Sequence, residues 1–334
     1  MRSLFIGSVS ERSGKTILSL GLAKNAPGKV GFFKPFKETI VYAKNRILDQ
    51  DAYLMKKVLN LEAEEEIISP CSYDVFRPVS MNTMLECWDK LREGCDTMIV
   101  EGTRDITTGY IHDVSGPAIA QAIGADMVLI GDSSPGALDK IAVIKHLLGD
   151  YNIEFKGAIL NMADDPAVEV FLEEKGINVL GSIPTINELK RFRVKEVAES
   201  LGAEIVVGDE NLDRPVEDVM VGAMTPESAI KYMRRVGRKA LITGGDRSDI
   251  QMAALSTDTS CLILTGGLYP VKTVVSKAYE KGVPILLVRY DTLTTAEMVE
   301  HLIARIDPED DAKINLICDT IKNNINLDEL WGEE

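Results

Sequence analysis

Along the first two hundred residues short apolar runs alternate with amphipathic stretches, a rhythm that predicts βα units building a mostly parallel sheet. Buried strands are expected at Leu4 to Gly7, Val30 to Phe33, Thr97 to Glu101, Met127 to Gly131, Ala158 to Asn161 and Val179 to Ile183. Helices covering that sheet are expected at Ile17 to Leu22, Ala118 to Ile123, Ile141 to Leu148 and Val168 to Glu174, where apolar side chains return with helical spacing. The pattern is that of a doubly wound α/β domain.

The rhythm breaks at Val207-Gly208-Asp209-Glu210-Asn211-Leu212-Asp213-Arg214-Pro215, which is polar, acidic and closed by proline, and so marks a linker near residue 210. Beyond it, strands at Ala240 to Thr243, Cys261 to Leu264 and Pro284 to Val288 alternate with helices at Ile250 to Leu255, Val271 to Tyr279 and Ala296 to Ile306. A second, smaller α/β domain follows from that alternation. The expected organisation is residues 1–209, residues 210–306, and an acidic tail over 307–334 with a weak helix from Lys313 to Asn323 and solvated ends. Two strands of the second domain end alike, in Thr243-Gly244-Gly245 and Thr265-Gly266-Gly267, turns that glycine permits.

A length of 334 residues exceeds the usual size of one hydrophobic core, in keeping with two domains. No apolar run approaches the roughly 18 residues that span a bilayer. The N-terminus runs into a strand rather than a signal peptide, so a cytoplasmic protein is expected. Five scattered cysteines, without a Cys-x-x-Cys pair, suit reduced thiols better than disulfides or zinc. His112, His146 and His301 lie too far apart in sequence to suggest a histidine-based metal centre or a Ser-His-Asp triad. A net charge of −15 and the lack of a basic run argue against nucleic acid as a partner.

The segment Gly7-Ser8-Val9-Ser10-Glu11-Arg12-Ser13-Gly14-Lys15-Thr16 leaves a strand and opens a helix, the setting in which Gly-Lys-Thr binds phosphate. Gly14 lets backbone N–H groups approach phosphate oxygens, and the helix offers its positive end. Lys15 adds a charge for the β- and γ-phosphates, and the Thr16 hydroxyl suits Mg²⁺. The usual spacing would put the first glycine at Val9, whereas the nearest one upstream is Gly7. Mg²⁺ takes carboxylates, so Glu101, at a strand end before Gly102, and Asp51 are the candidate further ligands. Lys34 leaves the strand ending at Phe33 toward the same sheet edge.

Gly14-Lys15-Thr16, Phe33-Lys34-Pro35, Asp51-Ala52, Val100-Glu101-Gly102, Ile159-Leu160-Asn161 and Leu180-Gly181-Ser182-Ile183-Pro184 occur in the order seen in dethiobiotin synthetases. The N-terminal part, about residues 1 to 205, resembles that family, and most of all the version at the N-terminus of some phosphotransacetylases. The resemblance implies that Lys15, Thr16, Asp51 and Glu101 serve phosphate and Mg²⁺ and that Lys34 faces the transferred phosphoryl group. It also implies that Asn161 reads adenine, and it adds Ser13, Gly14 and Pro184 to the nucleotide site. Residues 215 to 305 resemble a DRTGG domain through Asp246, Arg247, Thr265, Gly266 and Gly267. That implies a regulatory or dimerising module; physically, Arg247 beside two glycine turns either holds an anion, oriented by Asp246, or forms an intradomain or dimer-interface salt bridge with Asp246.

Two departures bear on substrate. Phe36-Lys37-Glu38-Thr39 stands where the resemblance implies small residues admitting a diamino acid, and Thr103-Arg104-Asp105 replaces a glycine-rich loop. The diamino acid is therefore not expected as substrate. With no catalytic domain after the DRTGG-like region, phosphotransacetylase activity is not expected either. The sequence reads as an ATP- and Mg²⁺-binding regulatory protein, a homodimer with slow ATPase turnover. The alternative is an ATP-dependent ligase that activates a small carboxylate metabolite or carbamate, using Lys15 and Lys34 on the γ-phosphoryl.

Overall fold

The computed structural model describes every residue but 11, 12, 39, 44, 45, 78, 304, 305, 333 and 334, and only the backbone of 40–43, 46, 47, 187, 190 and 301–303. Glu11, Arg12 and Thr39 of the two segments singled out above thus lie outside the described residues, as does the His301 side chain.

The chain forms two compact units, residues 1–185 together with 306–334, and residues 186–305. In the first, the apolar runs become a six-stranded, all-parallel sheet in the order Val179–Ile183, Phe155–Asn161, Asp126–Gly131, Arg2–Ser8, Thr97–Glu101, Val30–Phe33. The first strand is central, paired on one side with Ile6 opposite Glu101 and on the other with Gly7 opposite Leu129. The chain moves first to one side of it and later to the other. Strand ends that diverge in this way leave a crevice at their carboxyl edge, where ligands of doubly wound sheets bind. Phe5, Ile6, Phe32, Phe33, Val100 and Leu129 are at most 1% exposed, so the sheet is covered on both faces.

The helices Lys15–Asn25, Gly116–Ile123, Pro135–Asp150 and Ala167–Glu174 contain those expected from the sequence. Two more, Gln50–Val58 and Met81–Arg92, complete the cover. The acidic start of the tail is exposed at Asp307, Glu309 and Asp311, and the helix expected after it forms. This helix, Asp311–Asn324, belongs to the first unit and packs on the Lys15–Asn25 helix. Ile314, Ile317 and Ile321 are buried there, and Gly21 leaves a groove in which a side chain of its own would collide with Ile321. Asn25 donates to the Cys318 carbonyl at 3.1 Å, and Asn326 N–H to the Leu180 carbonyl at 2.8 Å.

The second unit carries a five-stranded sheet in the order Glu204–Val207, Ile285–Leu287, Thr259–Thr265, Lys239–Gly244, Asp218–Val221, parallel except for the first strand. Side chains alternate between two cores: Ala240, Ile242, Cys261 and Ile263 face one, and Leu241, Leu262 and Leu264 the other. The expected linker near residue 210 falls inside this unit, and the units divide at Ile186 instead. Glu204–Val207 is an antiparallel edge strand whose outer positions tolerate polar residues, and Asp209–Asn211 is a short 3₁₀ turn.

All five cysteines are unpaired, and burial pushes the thiols of Cys71 to about 11 and Cys261 to about 12, so neither is a thiolate at neutral pH. No helix among the described residues is long and apolar enough to cross a membrane.

Candidate functional site

The phosphate loop leaves the central strand at Ser8. Gly14 has φ +89°, a left-handed geometry that ordinary residues rarely adopt, and a Cβ there would run into the Asn161 amide. That amide lies close for a reason, since Asn161 Nδ2 donates to the Ser13 carbonyl at 2.7 Å. Ser8 and Ser13 hydroxyls meet at 2.6 Å, and Lys140 Nζ donates to the Val9 carbonyl at 3.0 Å. Val9 stands where glycine would be usual because its side chain is fully buried. The helix begins at Lys15, and its first-turn N–H groups are left for an anion.

Lys15 is 8% exposed. Burial lowers its pKa, while Glu38 and Glu101 raise it and Lys34 lowers it again. A desolvated ammonium of this kind lacks a water shell to lose when phosphate arrives.

Lys34, 1% exposed, is surrounded by carboxyls. Its Nζ forms an ion pair and hydrogen bond with Asp51 and lies 3.3 Å from Glu101 Oε1, 3.4 Å from Asp49 Oδ1 and 3.9 Å from Glu38 Oε2. Burial opposes its charge, but Asp51, Glu101, Asp49 and Glu38 outweigh that and hold its pKa well above the ordinary lysine value. Asp49 is also the N-cap of the Gln50–Val58 helix, accepting from Asp51 and Ala52 N–H at 3.0 Å each.

The Thr16 hydroxyl hydrogen-bonds to Asp51. Burial raises the Asp51 pKa, but Lys34, Thr16 and Lys15 bring it below the usual range. Glu101 is 1% exposed, and its Oε1 is ion-paired to the Lys34 ammonium at 3.3 Å. Burial pushes its pKa up to about 7, with Asp51 adding to the shift and Lys34 and Lys15 opposing it. A buried carboxylate beside a hydroxyl and a second carboxylate is the donor set that a hard divalent cation takes. Thr16, Asp51 and Glu101 therefore fit Mg²⁺.

The structure thus brings Ser13, Gly14, Lys15, Thr16, Lys34, Asp51, Glu101 and Asn161 to one sheet edge. Pro184 follows the outermost strand and is exposed. Glu38 and Asp49 were not picked out from sequence as members of the cluster. The signals for them were slight: an acid one residue before a helix, and an acid four residues after Lys34.

In the second unit, Gly244 pairs with Thr265 at adjacent strand ends, so the two Thr-Gly-Gly turns are neighbours. Thr265 Oγ1 lies 2.9 Å from Thr292 Oγ1, and Gly266 and Gly267 N–H groups donate to the Tyr290 and Val288 carbonyls at 2.8 Å. Within one chain Arg247 does not pair with Asp246 in the intradomain form of the salt-bridge reading. It meets Asp249, Nε to Oδ1 at 3.1 Å, and donates to the Met224 carbonyl at 3.1 Å, because Asp249 lies in the first turn of the helix that Arg247 precedes.

Comparison with known proteins agrees with this architecture. The family described as an AAA domain matches residues 2–193, and the DRTGG domain family matches residues 196–302. The phosphate acetyltransferase of Nitratidesulfovibrio vulgaris is 25% identical over 374 residues, covering 98% of this chain and 51% of that protein. This chain therefore spans about half the length of such relatives. The ATP-dependent dethiobiotin synthetase of Bacillus subtilis is 23% identical over 201 residues, covering 56% of this chain and 86% of that one. Among solved structures, the septum site-determining protein MinD of Pyrococcus horikoshii, complexed with Mg-ADP, aligns with TM-score 0.35 and 14% identity over 55% of this chain and 81% of that one. The CBS and DRTGG domains of Clostridium perfringens pyrophosphatase, complexed with diadenosine tetraphosphate, align with TM-score 0.30 and 20% identity over 49% and 69%. The chain belongs to the AAA domain family, in its dethiobiotin-synthetase-like P-loop form, and its P-loop domain is followed by a DRTGG domain.

Proposed function

We propose that this chain binds ATP and Mg²⁺ in its P-loop unit as a regulatory protein with slow ATPase turnover. The supporting observation is the pairing of a left-handed Gly14 turn and buried Lys15 with a buried Glu101 carboxylate near Asp51. Backbone N–H groups of the loop and Lys15 hold the phosphates, and Asn161, which keeps the loop in shape through the Ser13 carbonyl, also reads adenine. Thr16, Asp51 and Glu101 hold Mg²⁺, which when bound neutralises charge between the phosphates. Lys34 faces the terminal phosphoryl group.

The DRTGG unit serves as the sensing module, with Asp246, Arg247, Thr265, Gly266 and Gly267 at its ligand edge, and the protein works in the cytoplasm as a homodimer. Light scattering tests the dimer, and a monomer mass at micromolar concentration would count against it.

The second reading is the carboxylate- or carbamate-activating ligase, supported by Lys34 beside the loop and by the similarity to dethiobiotin synthetase. Calorimetry with ATP and Mg²⁺, followed by ADP release with and without bicarbonate or short carboxylic acids, separates the two. Saturable binding with unstimulated, slow release supports the regulatory reading, and stimulated release supports the ligase. No binding would overturn both.

A further inference from the structure

Glu38 is set apart from the other acids around Lys34. Asp49 is committed to backbone, its Oδ1 capping a helix and its Oδ2 accepting the Glu38 N–H at 2.9 Å. Asp51 takes the Thr16 hydroxyl, and Glu101 is sealed in. The Glu38 side chain is 14% exposed and accepts the Arg104 backbone N–H at 2.5 Å, while Arg104 Nη2 donates to the Glu38 carbonyl at 3.5 Å. The segments that follow Lys34 and Glu101 in sequence thereby close on each other through one carboxylate, 3.9 Å from Lys34 Nζ. The void lined by Phe5, Pro35, Phe36, Gly102 and Thr103 leaves no room for a water molecule.

Building on the nucleotide reading above, we infer that Glu38 is a tethered carboxylate standing in the place of a phosphoryl acceptor beside Lys34. It determines that the γ-phosphoryl group of bound ATP is kept rather than transferred to a small carboxylate or bicarbonate. Two features carry this. The glutamate carboxyl group has the chemistry of such an acceptor and is held by the neighbouring loop. An incoming anion would also join four carboxyls that already face two ammonium groups, Lys15 and Lys34. Like charges in a buried site disfavour each other strongly.

Glu38→Ala removes the occluding group and one negative charge together. A carboxylate oxygen of acetate then attacks the γ-phosphorus, the bond to the β-phosphate bridging oxygen breaks, and ADP leaves with that electron pair. The product is an acyl phosphate, which hydroxylamine converts to a hydroxamate with release of orthophosphate.

The test measures ADP release and hydroxamate with ATP and Mg²⁺, with and without acetate or bicarbonate, for the unmodified chain, Glu38→Ala and Glu38→Gln. Acetate should leave the unmodified chain unchanged and stimulate Glu38→Gln less than Glu38→Ala, since glutamine removes the charge but fills the same volume. It should raise release by Glu38→Ala at least about tenfold, with saturation. Equal stimulation of the unmodified chain would overturn the inference. So would a Glu38→Ala protein that melts normally and binds ATP yet ignores acetate. ATP affinity read in the same samples separates the two levels: absence of binding in all three proteins removes the nucleotide reading and this inference with it.

Discussion

Asn161 and Ser13 are joined by a hydrogen bond of 2.7 Å, tying the end of one strand to the phosphate loop that leaves another. Because Asn161 is 9% exposed and Ser13 2%, the loop shape depends on a side chain far away in sequence. Replacing Asn161 with alanine should cost about 1–3 kcal/mol by leaving the Ser13 carbonyl without its donor. Urea denaturation measures that cost, and ATP titration should show weaker binding in the same variant.

Loss of the Lys15 ammonium should act on ligand rather than on fold. A charge-assisted contact is worth about 1.5–3 kcal/mol, so Lys15→Ala should weaken ATP binding by roughly 10- to 150-fold in calorimetry. The ligand-free protein should melt no lower, because the variant relieves a buried charge.

Lys34 should behave in the opposite way. Removing the cation leaves Asp49, Asp51, Glu101 and Glu38 facing one another, and breaking a buried pair from one side costs about 3–5 kcal/mol. Lys34→Ala should therefore be strongly destabilised in urea at pH 7. Part of that loss should return at pH 5, where Glu101, whose pKa burial pushes up to about 7, holds a proton.

Glu101 sets a pH dependence with a definite sign. Its pKa is raised in the folded chain from the ordinary 4.5 to about 7, so the folded state holds the proton more tightly between those values. The contribution of Glu101 to the stability of the ligand-free protein is full below about pH 4.5 and is lost as pH rises through about 7. Mg²⁺ requires the ionised form, so stabilisation by Mg²⁺ should grow over the same rise. Thermal melts from pH 5 to 8, with and without Mg²⁺, should show both trends, and Glu101→Gln should flatten them.

The returning helix can be probed through Ile321, which is fully buried against Gly21. Ile321→Ala should cost about 2–5 kcal/mol in urea denaturation. Since its partner helix begins at Lys15, ATP titration of the same variant will show whether loosening reaches the loop.

Lys15, Thr16, Lys34 and Glu101 were legible in the sequence because each ends or follows a short apolar run bounded by glycine or proline, which fixes it at the carboxyl edge of a strand. Glu38 and Asp49 had no such marker. Their roles come from contacts between strand, hairpin and helix, and the nearest repeating pattern says nothing about a four-carboxyl shell. The apolar spacing of Ile314, Ile317 and Ile321 was visible as a weak helix, but its partner is a bare glycine on a helix about three hundred residues earlier. The edge strand Glu204–Val207 was not read from the sequence as a strand, and the proposed linker began at its last residue, Val207.

Residues 186–305 leave the first unit and return to it, so the second unit is an insertion rather than an appendage. Truncating the chain after residue 185 would strip Asp311–Asn324 from the back of the Lys15–Asn25 helix and bare its grease. Obtaining the P-loop unit alone calls for excision of the middle, with Thr185 and Ile306 spliced through a linker.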